Sequence, residues 1–230
     1  MAVILSVIIP CYNDYQHLSK IVAEISKLPF SHEIIVVNDG SNSQTKSVLN
    51  LLSGITLINH SRNLGKSQAL KTGYLAAKGK YLVFFDSDYL NVKVEYFRLL
   101  IDPVISGKYD IAIGQSDEGF PFFNWIGLTT MLSGLRCFPR NILPKNCKIF
   151  NNHGYIKGFL FEARFNCLIF SKYRIAKVRL FRLKQQYKIQ KTWSLGSFYN
   201  DIRIMYQIYH YLGPKRYFAQ LKFCRRIKTI

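Results

Sequence analysis

Two aspartates separated by a single serine, Asp86 and Asp88, follow directly on the apolar run of residues 81–85. An unpaired charged carboxylate is costly to bury, so this pair is expected at the end of a buried strand. Carboxylate oxygens are the ligands that Mg²⁺ and Mn²⁺ prefer, and a diphosphate would supply the remaining oxygens. The pattern therefore predicts a divalent cation here. The alternative is that Asp86 caps the next helix and Asp88 is solvated.

Two further segments carry polar groups suited to a nucleotide. Asp39 ends the apolar run of residues 33–38, and its carboxylate could accept a base N–H or a ribose hydroxyl, although an Asx-turn would also explain it. Arg62, Gly65 and Lys66 precede a predicted helix, and the free N–H groups of a helix N-terminus favour a phosphate. A solvated loop before that helix is the alternative interpretation.

The elements that must position these residues alternate along the first half of the chain. Apolar runs predict strands at 3–10, 33–39, 54–60, 80–88 and 109–115. Helical spacing predicts helices at 17–28, 66–79 and 124–135. Because the strand runs are continuous in hydrophobicity, they indicate a mostly parallel sheet covered on both faces by helices. Ligands bind beyond the carboxyl ends of such strands, which is where the polar residues fall.

The chain has 230 residues, a length that suits one sizeable core or one domain with a small appendage. Its charge is distributed unevenly. The first 135 residues hold 11 Lys/Arg and 11 Asp/Glu, whereas the last 95 hold 21 Lys/Arg and two acids, so the net charge of +19 arises there. Residues 215–228 predict a basic amphipathic helix, with Tyr217, Leu221 and Cys224 along one side. Such a block favours a polyanion, either an anionic membrane surface or a nucleic acid.

Cysteine usage and the apolar runs bear on the compartment. Five cysteines without a CxxC pair favour a reducing, cytoplasmic environment. No apolar run reaches the roughly 18 residues of a membrane-spanning helix, and the N-terminus lacks the basic lead of a signal peptide. We therefore expect a cytoplasmic protein. Its five histidines show no ligand spacing and are expected to be structural or exposed.

The first 115 residues resemble glycosyltransferase family 2, which has the GT-A fold. The resemblance rests on four motifs in order, SVIIPCYN, VVNDGS with Asn38 in place of an aspartate, NLGKSQALKTG and DSD. It implies an α/β, Rossmann-like, mostly parallel sheet flanked by helices, here with a basic C-terminal helical extension. It also implies Mg²⁺ or Mn²⁺ on Asp86 and Asp88, with Asp88 the catalytic ligand. The residues expected to bind the nucleotide-sugar are Pro10, Tyr12, Asn13, Asp39, Arg62, Lys66 and Asp86.

Residues 133–143, SGLRCFPRNIL, resemble a segment of polyprenyl-phosphate sugar synthases of the dolichyl-phosphate mannose synthase type. This implies a lipid phosphate acceptor, which needs no strong general base because it is already an anion. Arg136 and Arg140 would receive that phosphate, and Glu162, which aligns with an acid of the group, becomes a candidate catalytic residue. The alternative for Glu162 is structural pairing with Arg164 or another cation.

A sugar-hydroxyl acceptor would instead require a general base. The candidates for that base are Asp117, Glu118, Glu162 and Asp201. The chain also departs from the pattern of the polyprenyl group, since Leu90 stands where that group has glutamine and Thr130 stands near the place of an acid. These departures concern the acceptor and leave the donor motifs unchanged.

Together these features predict an inverting, metal-dependent glycosyltransferase that moves a sugar from a nucleotide-diphosphate sugar to polyprenyl phosphate or a lipid-linked glycan, in cell-surface polysaccharide synthesis. It would lie peripherally on the inner face of the cell membrane, and a homodimer is kept open. The expected parts are a nucleotide-sugar-binding half (1–115), an acceptor-binding half (116–185) and a basic membrane-associating tail (186–230). The alternative is a nucleic-acid-binding protein that uses the basic C-terminal third.

Overall fold

The structure, a computed structural model, describes residues 4–116, 121–144, 147–150, 160–170, 172–185 and 195–230. Its strands are β1 (Leu5–Cys11), β2 (His32–Asn38), β3 (Thr56–Asn59), β4 (Tyr81–Phe84), β5 (Tyr89–Leu90), β6 (Ile111–Ser116), β7 (Arg136–Pro139), β8 (Ile175–Leu180), β9 (Lys184–Gln185) and β10 (Lys228–Thr229). Its α-helices are α1 (Leu18–Ile25), α2 (Ser43–Asn50), α3 (Lys66–Ala76), α4 (Val94–Ile105), α5 (Pro121–Ile126), α6 (Leu128–Leu132), α7 (Leu160–Ile169), α8 (Leu195–Leu212) and α9 (Pro214–Arg226). Two 3₁₀ turns span Arg140–Ile142 and Lys148–Phe150.

Eight strands form one sheet in the order β10-β8-β6-β7-β4-β1-β2-β3. Neighbouring strands are parallel, except that β7 runs antiparallel to both β4 and β6. β5 and β9 form a separate two-stranded ribbon. The predicted mostly parallel sheet flanked by helices is confirmed. Each of the five predicted strands is present, although the fourth ends at Phe84 and does not continue to Asp88.

Both faces of the sheet are buried, which explains the continuous apolar runs. Val7 and Ile9 of β1 pack into one core with residues of α1 and α4, whereas Ile8 packs into the other core with residues of α3, α7 and α9. All three side chains are fully buried. A strand with helices on both sides has no polar face, so its hydrophobicity does not alternate.

Four helices, α2, α4, α7 and α8, lie in segments where the sequence analysis predicted no helix. α2 has a polar sequence in which only Thr45 and Leu49 are buried, and its N-cap is Asn42, whose side chain accepts a hydrogen bond from the Thr45 N–H (2.9 Å). Such a cap provides an acceptor for one of the backbone N–H groups of the first turn that have no partner within the helix. α4 carries Pro103 in its interior, which weakens the helical signal of its sequence.

The helix predicted over 124–135 is interrupted at Gly127, which separates α5 from α6. Gly127 has φ 87°, and a Cβ atom there would lie 2.7 Å from the backbone nitrogen of Arg225 in α9. Glycine is required at this position both by the left-handed backbone and by the close approach of α9.

The described part of the basic C-terminal segment is packed into the domain. The buried side of α9 carries Tyr217, Gln220 and Cys224, and Gln220 Nε2 donates to the Ala163 carbonyl in α7 (2.9 Å). β10 then adds a parallel strand to the edge of the main sheet beside β8. Within the described ranges, no helix combines the length and apolar character needed to cross a bilayer.

Candidate active site

The carboxyl ends of the central parallel strands gather the predicted nucleotide-binding residues along one rim. Register aligns these ends, since Cys11 pairs with Asn38 and Ile8 with Phe84. The segment 10–13 therefore lies beside Asp39 on one side, and Asp86 and Asp88 follow β4 on the other. The sequence placed these three clusters at one edge, and the topology brings them together.

Asp39 is buried and accepts hydrogen bonds from the loop that follows β3. Its Oδ1 lies 2.7 Å from His60 Nδ1 and 2.9 Å from the Leu64 N–H, and its Oδ2 accepts from the Gly65 N–H (2.8 Å). Because the carboxylate only accepts, Nδ1 is the donor, and His60 Nε2 lies 2.9 Å from the Thr72 hydroxyl. Both carboxylate oxygens thus have protein donors, and contact of Asp39 with a base or ribose stays a prediction.

Asn38, which stands in place of the family's aspartate, joins two strands. Its Nδ2 donates to Asn59 Oδ1 (2.8 Å), and its Oδ1 accepts from the Ser41 N–H (3.0 Å). An aspartate here could not donate to Asn59, so the amide suits this arrangement. On the neighbouring loop, Asn13 has φ 54° and its side chain accepts from the Asn42 N–H (2.8 Å).

Tyr12, Pro10 and Arg62 differ in accessibility. Half of Tyr12 is exposed, whereas Pro10 is buried and Arg62 is exposed on the loop that follows β3. Gly40, with φ 71°, allows this loop to approach, because a Cβ atom there would lie 2.2 Å from the Arg62 carbonyl carbon. Tyr12 and Arg62 are therefore accessible to a ligand at this rim.

Lys66, the first residue of α3, lies between two carboxylates. Its Nζ is 2.8 Å from Asp86 Oδ1 and 2.9 Å from Glu162 Oε1, and Glu162 is fully buried in α7. Burial opposes the charge of Lys66, but Asp86 and Glu162 together outweigh it and hold the pKa of the ammonium above its usual range. Glu162 is thus paired with Lys66, which agrees with the alternative of structural pairing. Arg164 instead donates to the Tyr211 hydroxyl (2.7 Å).

Arg136 is fully buried next to this ion pair. Its guanidinium donates to Asn166 Oδ1 (2.7 Å) and to the carbonyls of Ser133 (2.9 Å) and Met131 (3.4 Å). Burial lowers the pKa of Arg136 to about 10, against the opposing effect of Glu162, so the group stays charged at neutral pH. A phosphate would reach it only after a rearrangement, and its role as a phosphate ligand stays a prediction.

Arg140 lies at the other end of β7. Because β7 is antiparallel to β4, Arg136 pairs with Phe84 at the carboxyl rim, whereas the Arg140 N–H donates to the Lys80 carbonyl beyond the amino end of β4 (2.9 Å). The Arg140 guanidinium carbon lies 5.8 Å from the centroid of the Tyr74 ring. Of the two arginines, only Arg136 is at the rim that carries Asp86.

Asp14, which the sequence offered only as a possible cap of the first helix, joins the carboxylates at this rim, whereas the N-cap of α1 is His17. Its Oδ2 accepts from the Ser87 hydroxyl (3.0 Å). Burial, with a smaller contribution from Asp86, raises the pKa of Asp14. Its place just after β1 is the same signal that identified Asp39. In the described part of the chain, no three His, Cys, Asp or Glu side chains form a complete metal site. The metal-binding role of Asp86 and Asp88 therefore stays a prediction, in which a diphosphate and water would supply the other ligands.

Several predicted candidates for a general base cannot be placed. Asp117 and Glu118 lie outside the described residues, as does the side chain of Asp201. Among the base candidates, the described structure therefore locates only Glu162.

The chain matches the family described as "Glycosyl transferase family 2" over residues 6–165, which is more than half of its length. It therefore belongs to glycosyl transferase family 2, and the resemblance inferred from the four motifs is confirmed.

Among similar proteins, a dolichyl-phosphate beta-glucosyltransferase of Dictyostelium discoideum is 37% identical over 99 residues, which cover 36% of this chain and 30% of that protein. A dolichol-phosphate mannosyltransferase of Pyrococcus furiosus is 32% identical over 147 residues, covering 61% of this chain and 41% of that protein. The chain spans less than half the length of the curated relatives it matches.

Solved structures show the same fold. Glucosyl-3-phosphoglycerate synthase from Mycobacterium tuberculosis, in complex with Mn²⁺, UDP and phosphoglyceric acid, superposes with a TM-score of 0.68 at 19% identity, over 91% of this chain and 78% of that chain. The same enzyme with Mg²⁺ and UDP gives a TM-score of 0.62 at 21% identity, over 80% and 71%. The GT-A fold expected from the sequence is thereby confirmed.

Proposed function

We propose that this chain is an inverting glycosyltransferase that moves a sugar from a nucleotide-diphosphate sugar to a lipid-linked phosphate acceptor. The observation that carries the proposal is the rim at which Asp86 contacts Lys66 at the start of α3, and the neighbouring Ser87 contacts Asp14 after β1. Family membership supports the reaction class, and the names of the two relatives above support a dolichyl-type phosphate acceptor. No finding favours the nucleic-acid-binding alternative.

On the donor side, Asp86 and Asp88 would hold Mg²⁺ or Mn²⁺, as the solved relatives with these ions and UDP suggest. When bound, such a cation neutralises the charge that develops on the departing diphosphate. The exposed Arg62 and the backbone N–H groups at the start of α3 would face the phosphates. Tyr12, half exposed, would contact the base.

The environment of Glu162 bears on the type of acceptor. This acid is fully buried, and its Oε1 lies 2.9 Å from the Lys66 ammonium, with which it forms an ion pair. A carboxylate so neutralised is poorly suited to remove a proton from a sugar hydroxyl. A phosphate acceptor is already an anion and needs no such base, so an ion-paired Glu162 is compatible with polyprenyl phosphate as the acceptor.

The outer face of α9 supports attachment to a membrane surface. Its outer face presents Phe218, 60% exposed, with Lys215, Lys222 and Arg225 at helical spacing around it. Trp125 of α5 is 58% exposed, and its ring centroid lies 4.5 Å from the Arg225 guanidinium carbon. Aromatic side chains among cations suit the interface of an anionic bilayer. This face would hold the protein peripherally on the inner face of the cell membrane, where cell-surface polysaccharide precursors would be made.

A transfer assay tests the reaction. The protein is incubated with a panel of nucleotide-sugars, Mn²⁺ or Mg²⁺, and either polyprenyl phosphate in detergent or a glycan acceptor. We expect a product on the polyprenyl phosphate that mild acid releases, and loss of transfer in Asp88→Asn with an unchanged circular dichroism spectrum. Asp102→Asn, an exposed carboxylate in α4, is the matched control. Transfer only to the glycan would overturn the proposed acceptor, and full activity of Asp88→Asn would overturn the role of the rim carboxylates.

A further inference from the structure

The ammonium of Lys66 joins three separate elements at one point of the rim. It is 2.8 Å from Asp86, which follows β4, and 2.9 Å from Glu162 in α7, while Lys66 itself begins α3. The side chains of Lys66 and Asp86 are 24% and 18% exposed, and that of Glu162 is fully buried. Asp86, a proposed metal ligand, is therefore already paired with a positively charged group of the protein, the Lys66 ammonium.

Glu162 depends on this lysine. No hydrogen bond of ordinary geometry reaches either of its carboxylate oxygens from the described residues, although the Lys66 ammonium is within ion-pair distance of Oε1. A fully buried carboxylate without compensation is strongly destabilising, so Glu162 favours keeping the ammonium in place. Glu162 thus helps to hold the Lys66 ammonium in its position beside Asp86.

Gly134 lies against one side of the pair. A Cβ atom at this position would lie 2.4 Å from Asp86 Oδ2 and 2.8 Å from Lys66 Nζ. The backbone of the SGLR segment therefore packs directly against the Lys66–Asp86 contact, and the ammonium cannot move toward that segment.

We infer that Lys66 competes with the divalent cation for Asp86, so that the metal binds well only together with the nucleotide diphosphate. This rests on the proposed function. A cation that approaches Asp86 is repelled by the ammonium already beside it, and at such short range like charges interact appreciably even through water. A diphosphate carries the negative charge that attracts both cations, and it thereby relieves the repulsion. Lys66 acts as a positioning residue that orders the binding of the two ligands.

The test measures Mn²⁺ binding by electron paramagnetic resonance, with and without UDP or GDP. It compares the wild type with Lys66→Met/Glu162→Gln, which removes the cation and the acid that depends on it and leaves the net charge unchanged. We expect wild-type Mn²⁺ affinity to rise about tenfold or more with the nucleotide. The double variant should bind Mn²⁺ alone about tenfold more tightly than the wild type, with a smaller effect of the nucleotide.

Two matched variants separate this effect from general charge changes. Glu162→Gln alone keeps the lysine beside Asp86 and should not tighten Mn²⁺ binding, and Lys71→Met removes a different lysine of α3 and should leave Mn²⁺ binding unchanged. A natively folded double variant that binds Mn²⁺ alone no more tightly than the wild type would overturn the inference. Mn²⁺ affinities measured without nucleotide test the effect of Lys66 separately from nucleotide binding. Failure of the wild type to bind either nucleotide would instead overturn the proposed function.

Discussion

Gly134 is the residue at which the backbone comes closest to the charged groups of the rim. It stands between Ser133, whose hydroxyl donates to the Gly114 carbonyl in β6, and Leu135, whose N–H donates to the Ser133 hydroxyl. These bonds fix the segment in place, so an added methyl group at Gly134 would have to displace Asp86 or Lys66. A single small residue therefore controls the geometry of a carboxylate on another element.

Gly134→Ala is expected to lower transfer activity at least tenfold and to destabilise the fold by about 1–3 kcal/mol, because overpacking forces neighbouring groups out of place. Urea unfolding and the transfer assay give the two numbers. Gly54→Ala is the control, since a Cβ atom there meets nothing within 4 Å and only the positive φ of 73° is strained. Equal activity in the two variants would show that Gly134 does not position Asp86.

At the scale of elements, the direction of β7 decides which side chains reach the rim. The strand inserts antiparallel between β4 and β6, and this places Arg136 beside the end of β4 and Arg140 at the opposite edge. A separate contact joins the starts of β6 and β8. The Asp110 N–H donates to the Arg174 carbonyl (2.8 Å), and the Asp110 carboxylate accepts from both the Arg174 N–H (2.8 Å) and the Arg174 guanidinium (3.0 Å).

This contact predicts a pH-dependent contribution to stability. The hydrogen bond from Arg174 lowers the pKa of Asp110 in the folded protein. The contact therefore stabilises the fold above the ordinary pKa of aspartate, and this effect is lost as the pH falls through the lowered pKa. Asp110→Asn should lower the Tm by about 2 °C at pH 7, a small effect because the pair is largely exposed.

The difference in Tm between wild type and Asp110→Asn should shrink as the pH falls below about 4. Differential scanning calorimetry across this range measures it. Asp102→Asn, whose carboxylate is 56% exposed and 3.8 Å from Arg98, should change the Tm little at any pH. A difference for Asp110→Asn that stays constant from pH 7 to below pH 4 would contradict the prediction.

The sequence patterns predicted the strands of the sheet better than they predicted which residues of distant elements contact one another. Continuous apolar runs are a local signal of strands buried on both faces, so the parallel sheet and its carboxyl rim were predictable, and the four motifs pointed to the family. The break at Gly127 was not predictable, because it depends on the backbone of α9 far along the chain. Likewise, Lys66 was correctly placed near the rim, but its partner Glu162 comes from a helix nearly a hundred residues later.

At the scale of the whole molecule, the uneven charge has a structural counterpart. α9 buries one side in the domain and presents cations and Phe218 on the other, next to Trp125. The segment from 214 to 229 is therefore a part of the fold that carries a cationic outer face. Its proposed attachment to a membrane would orient the domain as a rigid body.

Phe218→Ser/Trp125→Ser is expected to reduce partition onto liposomes that contain an anionic phospholipid by about tenfold or more, because two aromatic side chains lose their burial in the interface. Co-sedimentation measures it, and rising salt should weaken binding of the wild type. Leu51→Ser removes a side chain that is 84% exposed elsewhere and should leave partition unchanged. Wild-type binding to DNA, but not to the liposomes, at matched salt would contradict the membrane proposal.

The parallel pairing of β10 with β8 sets where the chain leaves the sheet. Ile230 emerges at the end of the sheet that holds Asp86, four strands away, or roughly 20 Å at the usual strand spacing. Residue 4, just before β1, emerges at the opposite end. An affinity tag or fluorescent fusion attached after Ile230 would stand on the side of the sheet where the proposed nucleotide-sugar would bind, whereas one attached ahead of β1 would stand on the opposite side.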